Sequence, residues 1–532
     1  VKANADVVAE VLRERGVRYA FGIPSGQVVV LLDALRRAGV EFTLVSHEAA
    51  AGFMADVWGR LTGTPGVCIS TLGPGATNMA TGVGNACLDR SPVLAITAQD
   101  PVDHLTRRVQ MRIDHQALFA PITKASLVLS PGKIRAQLEA AFNLATVEPP
   151  GPVHLDLPMD VAAGVAREDP SARVSLVDPE QREAPDMASL ADLLAHARRP
   201  LVALGLSVLR SRALPELMRF IEKQRLPFVT TLMAKGAVPE DHPLLAGVVG
   251  RARKDLVAGF CKGADLVVGI GYDPVEICYE DWMPPVPLVH IDFEPADVAP
   301  GVRVARGFVG DLTGMVRALA GIPVVPNEWS PDELRRHKEA LYKALTPPSA
   351  DLAPHHVLEA LRDILPREGI MSCDVGAHTH LIGQLWRVPA PGTFLVSNGW
   401  SSMGFGVPAA IAAKLARPEL AVVAVVGDGG FRMMAGEMAT ARRLNIAVPF
   451  VVLGDSYLSL IREKQRGRNL PVYGVEITRG AYEPPEHYFG VPVRVVRTVE
   501  DLVPALRDGL RADGPVVIEA LVNPAEYETM RL

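Results

Sequence analysis

Two carboxylates offer the first chemistry in this chain. Asp428 lies in "VVGDGGF" and Asp455 in "VVLGDSY", each just past an apolar run and 27 positions apart. An apolar run that ends in a glycine turn and leads into a helix reads as a buried parallel strand. Two such strands end on the same edge of a sheet, so the two aspartates can converge there. Paired with backbone carbonyls, water and a phosphate, they would suit Mg²⁺ or Ca²⁺. The helix expected to start after Gly430 would turn free N–H groups toward an anion at the same place. Gly-Asp-Gly alone is more often an acidic turn in a strand–helix–strand unit; the spaced second carboxylate brings the two readings level.

A third acid stands elsewhere. Glu48, in "LVSHEAAAGFMADVWGRLTG" (44–63), follows a strand-like run and heads an Ala-rich, apolar helix. A favourable charge at a helix start is the ordinary account of such a residue. A carboxylate buried among apolar neighbours instead resists ionisation and can share a proton with a ligand nitrogen. Upstream, Gly22, Pro24 and Gly26 in "FGIPSGQVVVLLDAL" (21–35) make a tight loop between strand and helix. Downstream, "STLGPGATNMATG" (70–82), with Gly73 and Asn78, lets backbone approach a flat ligand.

The elements that must position these groups are of one kind. Short apolar runs such as "FTLVS", "GVCIST", "VLAITA" and "AVVAVVG" alternate with amphipathic helical stretches along all 532 residues. That pattern predicts an α/β protein of doubly wound parallel sheets covered on both faces. Pro-containing stretches of low periodicity near 166–190 and 322–353 divide it into three α/β domains, over 1–165, 190–322 and 353–532. The helix near 331–346, "PDELRRHKEALYKAL", reads as a charged surface or linker helix. With 48% hydrophobic and 21% charged residues the chain is globular, and a net charge of −6 without basic runs argues against nucleic acid or an anionic membrane as partner. Five dispersed cysteines (Cys68, Cys87, Cys261, Cys278, Cys373) form no zinc or disulfide pattern and fit a reducing compartment. The apolar runs are too short to span a bilayer, which together predicts a cytoplasmic protein.

In combination these motifs resemble a known group. The Pro24 loop, "SHEAAAGFMADVWGRLTGTPGVCISTLGPGATN", "LMAKGAVPEDHPL" (232–244), "SNGWSSMGFGVPAAI" (397–411), and GDG with "LGDSY" occur in the order seen in the acetohydroxyacid synthase group of thiamine-diphosphate-dependent enzymes. The resemblance spans essentially the whole chain. It implies a pyrimidine-binding, a central and a diphosphate-binding domain. It also implies a homodimer or homotetramer with each active site between the first domain of one chain and the third of another. Thiamine diphosphate and Mg²⁺ are the implied cofactors. Glu48 matches the glutamate that protonates the aminopyrimidine ring so that the cofactor can ionise itself. Met403 matches the apolar residue that holds the cofactor bent, and the Ser401 carbonyl the acceptor for its amino group. Asp428, Asp455 and the Tyr457 carbonyl take the metal-ligand positions. Gly427, Gly429, Gly430, Ala377 and His378 (in "DVGAHTH") fall near the diphosphate, and Pro24, Gly73 and Asn78 near the pyrimidine.

Departures from the group bear on substrate and on FAD. The FAD-containing members carry Arg-Phe-Asp-Asp in the central domain, whereas "GIGYDPVEICYEDW" (269–282) resembles the FAD-independent, catabolic acetolactate synthases. Without the arginine a strong partner for FAD is lost, so FAD is expected to be absent. Asp455 replaces an asparagine, as in the FAD-independent type, and still suits a hard cation. The group's active-site glutamine falls on Met111, with Gln110 beside it. A loop lysine that meets the substrate carboxylate is Gln27 here, and Ser25 replaces a glycine of that loop. The expected activity is decarboxylation of a small 2-oxo acid, pyruvate by preference, and carboligation to a second carbonyl, with Glu48, Gln110, Ser25 and Gln27 as the catalytic set. The alternatives are a 2-oxo acid decarboxylase, a related enzyme with another donor or acceptor such as an amine, and a non-catalytic binding protein on the same fold.

Overall fold

The computed structural model describes residues 1–176, 183–276, 280–478, 480 and 482–531. Cys278 and the rest of 277–279, part of the stretch read for FAD, lie outside the described residues.

The chain builds three sheets in sequence. The first contains β1 (Tyr19–Gly22), β2 (Glu41–Leu44), β3 (Gly66–Ser70), β4 (Val93–Gln99), β5 (Ala125–Val128) and β6 (Pro152–Pro158), in the order β2-β1-β3-β4-β6-β5. The second contains β7 (Pro200–Leu204), β8 (Phe228–Thr230), β9 (Leu245–Val248), β10 (Leu266–Ile270), β11 (Leu288–Asp292) and β12 (Val304–Val309), in the order β12-β11-β10-β7-β8-β9. The third contains β13 (Ile370–Cys373), β14 (Phe394–Val396), β15 (Val422–Gly427), β16 (Pro449–Gly454), β17 (His487–Tyr488), β18 (Val491–Val496) and β19 (Val516–Leu521), in the order β14-β13-β15-β16-β19-β18-β17. All described pairings are parallel except β17 with β18. Such strands are buried on both faces and are largely apolar: β3, β4, β10 and the run Val422–Val426 are buried at every residue.

In each sheet the winding reverses beside the first strand: between β1 and β3, between β7 and β10, and between β13 and β15. A crevice forms at such a reversal, at the carboxyl ends of the strands. In the third sheet β13, β15 and β16 are neighbours, so the residues that follow them are brought together about 4.8 Å apart per strand.

The helix Glu48–Thr62 starts as expected, after His47, whose ring accepts the Ala49 N–H, and ends at Gly63. It is buried from Glu48 to Gly59, because it lies between the first sheet and the third domain, where Phe53 meets Phe405 edge to face. One local expectation is corrected. The helix after β15 begins at Asp428, not beyond Gly430, and runs to Met434; a second short helix follows over Glu437–Arg443. Two glycines are poor helix residues in isolation, but here packing against Asp374 decides. The charged helix near 331–346 forms over Pro331–Leu345. Among the described residues no helix is long and apolar enough to cross a membrane.

Candidate active site

The third sheet sets three acids at adjacent strand ends: Asp374 after β13, Asp428 after β15 and Asp455 after β16. Asp428 is buried, and its Oδ2 accepts the Ser456 N–H at 2.8 Å. Asp455 accepts from the Tyr457 N–H at 2.8 Å and the Ser459 hydroxyl at 2.9 Å. Burial raises both acids, and the neighbouring Asp428 charge helps push Asp455 up to about 7. Two desolvated carboxylates that destabilise each other's charge make a place where a hard cation is favoured. Ser456 takes a left-handed φ of +65°, and residues 456–458 pair with 475–477 through Leu458 N–H to Val475 and Ile477 N–H to Ser456, which fixes the Tyr457 backbone beside the two acids.

Asp374, which was not among the expected site residues, is the hub of this half. It is fully buried and accepts N–H bonds from Val375 at 2.7 Å and Gly404 at 2.9 Å, while burial pushes it up to about 7. A Cβ on Gly430 would stand 2.2 Å from Asp374 Oδ2, so only glycine lets the two turns meet. The same carboxylate thereby locks the GDG turn to the loop that carries Met403. Met403 Cε lies 3.2 Å from where a Gly429 Cβ would be, so its side chain reaches the GDG turn. Ser401 is exposed with φ +52°, and its hydroxyl donates to the Asn398 carbonyl at 3.0 Å. This loop is held by the other domains as well: Asp89 accepts the Gly399 N–H at 2.7 Å, and Asn398 Nδ2 donates to the Glu276 carbonyl at 2.8 Å.

His378 is buried rather than surface-bound, in the first turn of the helix Ala377–Leu385. Its Nε2 has no hydrogen-bond partner among the described residues, and its ring packs on Gly427 and Gly376. Burial pulls it down to about 4, so it is neutral at pH 7. An orphaned ring nitrogen between two glycine turns and a helix start fits an anionic ligand, whose charge would favour the protonated ring that donates to it.

The first sheet builds the other half. Glu48 is 7% exposed, and its Oε2 accepts from Asn78 Nδ2 at 3.0 Å. Gly75 passes so close that a Cβ there would lie 3.4 Å from Glu48 Oε1. Gly73 has φ +60°, and a Cβ on it would stand 2.3 Å from the Met111 carbonyl. Its N–H donates to His115 Nε2 at 3.2 Å, and His115 Nδ1 is 3.0 Å from buried Asp156. His115 was another residue missed by motif reading; only the fold shows that it steadies the glycine loop. Gln27 accepts from the Thr71 hydroxyl at 3.3 Å, and the buried Ser25 Oγ has no partner among the described residues. Pro24 and Gln110 are exposed, as is the Met111 side chain, whose backbone has φ +65°. Among the described residues the side-chain hydrogen bonds of Glu48 thus stay within the first domain, and those of Asp428 and Asp455 within the third.

Comparison with known proteins follows this division. Residues 3–118 match the family described as "Thiamine pyrophosphate enzyme, N-terminal TPP binding domain", 187–319 its central domain and 374–520 its C-terminal TPP binding domain. The chain is 32% identical to a probable acetolactate synthase large subunit of Methanocaldococcus jannaschii, over 98% of this chain and 92% of the relative. It is 30% identical to acetolactate synthase isozyme 2 large subunit of Escherichia coli (98% and 96% covered) and to acetolactate synthase of Bacillus subtilis (98% and 93%). With three matched domains around these two half-sites, the chain belongs to the thiamine pyrophosphate enzymes, in the group that contains the acetolactate synthases.

Proposed function

We propose that this chain is a thiamine-diphosphate- and Mg²⁺-dependent carboligase that decarboxylates a 2-oxo acid, pyruvate by preference, and joins the two-carbon unit to a second carbonyl. With pyruvate as acceptor the product is 2-acetolactate. The observation that carries this reading is the convergence of Asp428 and Asp455 on one strand edge, beside the partnerless His378 Nε2. We assign the pyrimidine-binding, central and diphosphate-binding domains to 1–165, 190–322 and 353–532. The two halves of a site come from different subunits of a homodimer or homotetramer.

When bound, thiamine diphosphate supplies a nucleophilic ring carbon and an electron sink. The chain's own residues do the rest. Asp428, Asp455 and the Tyr457 carbonyl would hold Mg²⁺, whose charge would offset the two acids and a diphosphate together. The turns of Gly427, Gly429, Gly430 and Ala377, with His378 Nε2 once protonated, would take the diphosphate oxygens. Glu48, kept in place by Asn78 and shielded from water, holds a proton against a ring nitrogen of the cofactor, and low polarity strengthens that bond. Met403, whose side chain reaches the GDG turn, would support the cofactor, with the Ser401 carbonyl as acceptor and Pro24 and Gly73 beside its pyrimidine. Ser25, Gln27 and Gln110 face the 2-oxo acid. None of these three is a cation, so substrate carboxylate is held by neutral donors, and selectivity against other small 2-oxo acids is modest.

The absence of FAD is supported by the close packing of the turns at the reversal of the central sheet. A Cβ on Gly205, after β7, would lie 2.2 Å from the Gly271 carbonyl, after β10. Glu276 accepts the Leu206 N–H at 2.7 Å, where a dinucleotide phosphate would otherwise bind. We therefore expect FAD-independent activity in the cytoplasm. Incubation with a panel of 2-oxo acids, thiamine diphosphate and Mg²⁺ should give CO₂ and, from pyruvate alone, acetolactate by mass spectrometry. Aldehyde as the sole product would replace this reading with a simple decarboxylase, and no metal-dependent cofactor binding by calorimetry with a non-catalytic protein.

A further inference from the structure

A cavity of about 690 Å³ lies apart from the cofactor residues, between the edge strand β9 of the central domain, the linker helix Pro331–Leu345 and the helices Pro354–Ile364 and Ala377–Leu385 of the third domain. Its walls are partly apolar, including Leu341, Leu345 and Leu358. Its polar rim holds Lys338, Arg362 and Arg387, and none of these three forms an ion pair among the described residues. Among the described residues Lys338 donates only to the His242 and Pro243 carbonyls and Arg362 Nη2 to the Leu365 and Pro366 carbonyls, while buried Arg362 Nη1 has no hydrogen-bond partner and the guanidinium lies over the Trp386 ring at 4.7 Å.

The acids on the same walls are mostly committed. Glu240 pairs with Lys235, Asp241 with Arg367, Glu339 with Arg335, and Glu359 accepts from the Tyr342 hydroxyl. Asp363, beside Arg362, is the remaining one. The cations also disfavour one another: burial first, then the Arg387 charge, lowers Lys338, and Arg362 is lowered by burial and by Arg367 and Arg387. Cations that repel across a half-apolar cavity gain most from an anion with an apolar body. The volume matches a small organic ligand.

We propose that this inter-domain cavity binds an amphipathic organic anion, its charged group between Lys338, Arg362 and Arg387 and its apolar body against the leucines. Gln384 ties the cavity to the rest of the chain. Its side chain bonds the Val248 N–H at 3.0 Å and carbonyl at 2.8 Å, and it sits on the helix whose first turn carries His378.

The test uses the holoenzyme, saturated with thiamine diphosphate and Mg²⁺, titrated with 8-anilinonaphthalene-1-sulfonate and followed by fluorescence. We expect saturable binding to wild type, at least about tenfold weaker in Lys338→Gln/Arg387→Gln, with turnover unchanged because neither residue belongs to the cofactor site. Each of these side chains is at least partly exposed, so the variant should fold. A Leu358→Ala variant, which keeps the cations and trims the apolar wall, should also bind more weakly than wild type, and unchanged affinity there would remove the apolar half of the proposal. Absence of saturable binding, or equal affinity in wild type and the double variant, overturns the proposal.

Discussion

Glu48 carries one side-chain hydrogen bond, from Asn78, in a setting that excludes water. Its function in the proposed reaction is to hold a proton, which glutamine cannot do with the same basicity. Glu48→Gln preserves shape and the Asn78 contact, so it should fold and bind cofactor, yet lose on the order of 10²-fold or more in kcat. Single-turnover product formation checks this, and wild-type rates at saturating cofactor would refute the assignment. The metal acids are expected to separate. Asp428→Ala removes a buried ligand and should abolish Mg²⁺-dependent cofactor binding. Asp455→Asn keeps an oxygen and relieves the repulsion that raises Asp455, so it should bind Mg²⁺ roughly tenfold more weakly without losing activity at saturating metal. Mg²⁺ titrations of turnover distinguish the two.

At the scale of elements, strand ends were legible from the chain and the contacts between turns were not. "AVVAVVGDGG" and "VPFVVLGDSY" announce buried parallel strands, so the convergence of Asp428 and Asp455 could be anticipated. Asp374 sits in an equally plain strand end, "MSCDVG", but its importance rests on the 2.2 Å approach of Gly430 and on the Gly404 N–H, which no local pattern encodes. The start of the helix at Asp428 was missed for the same reason: glycine propensity argues against it, and tertiary packing overrides it. Glu276 shows what a closed turn does to charge. It is held by the Leu206 N–H and the Thr231 hydroxyl, and burial pushes it from 4.5 up to about 8. Below pH 4.5 it is neutral folded and unfolded. Between about 4.5 and 8 the unfolded chain releases the proton that the native chain keeps, so stability falls as pH rises, by up to about 1.4 kcal/mol per pH unit. Glu276→Gln is neutral throughout. Its stability relative to wild type should therefore increase across that window, as urea midpoints at its two ends would show; a constant difference would mean that Glu276 ionises normally.

At the scale of the whole molecule, the central and third domains are joined by a buried ion pair. Lys235 donates to both oxygens of Glu240, at 2.9 and 2.7 Å, and to the Gly383 carbonyl at 2.8 Å. Glu240 in turn accepts the Val388 N–H at 2.7 Å. The pair thus links the loop after β8 to both ends of the segment Gly383–Val388, which begins in the last turn of the helix that carries His378. Both side chains are about 1% exposed, so each owes its charge to the other. The motif "LMAKGAVPEDHPL" was visible as part of the resemblance, but its two charges gave no hint that they bridge domains. Removing one partner leaves the other charge buried, at a cost of about 3–5 kcal/mol, whereas replacing both by apolar groups of similar volume costs far less. Lys235→Met should therefore lower the unfolding midpoint strongly and weaken cofactor binding through the displaced Gly383–Val388 segment. The double variant Lys235→Met/Glu240→Leu should recover most of the stability, limited by the unpaired Gly383 carbonyl and Val388 N–H. Calorimetric scans of the wild type, both single variants and the double variant complete the cycle. Additive losses would mean that the two residues stabilise the domains independently, and that this bridge is not what couples the central domain to the cofactor helix.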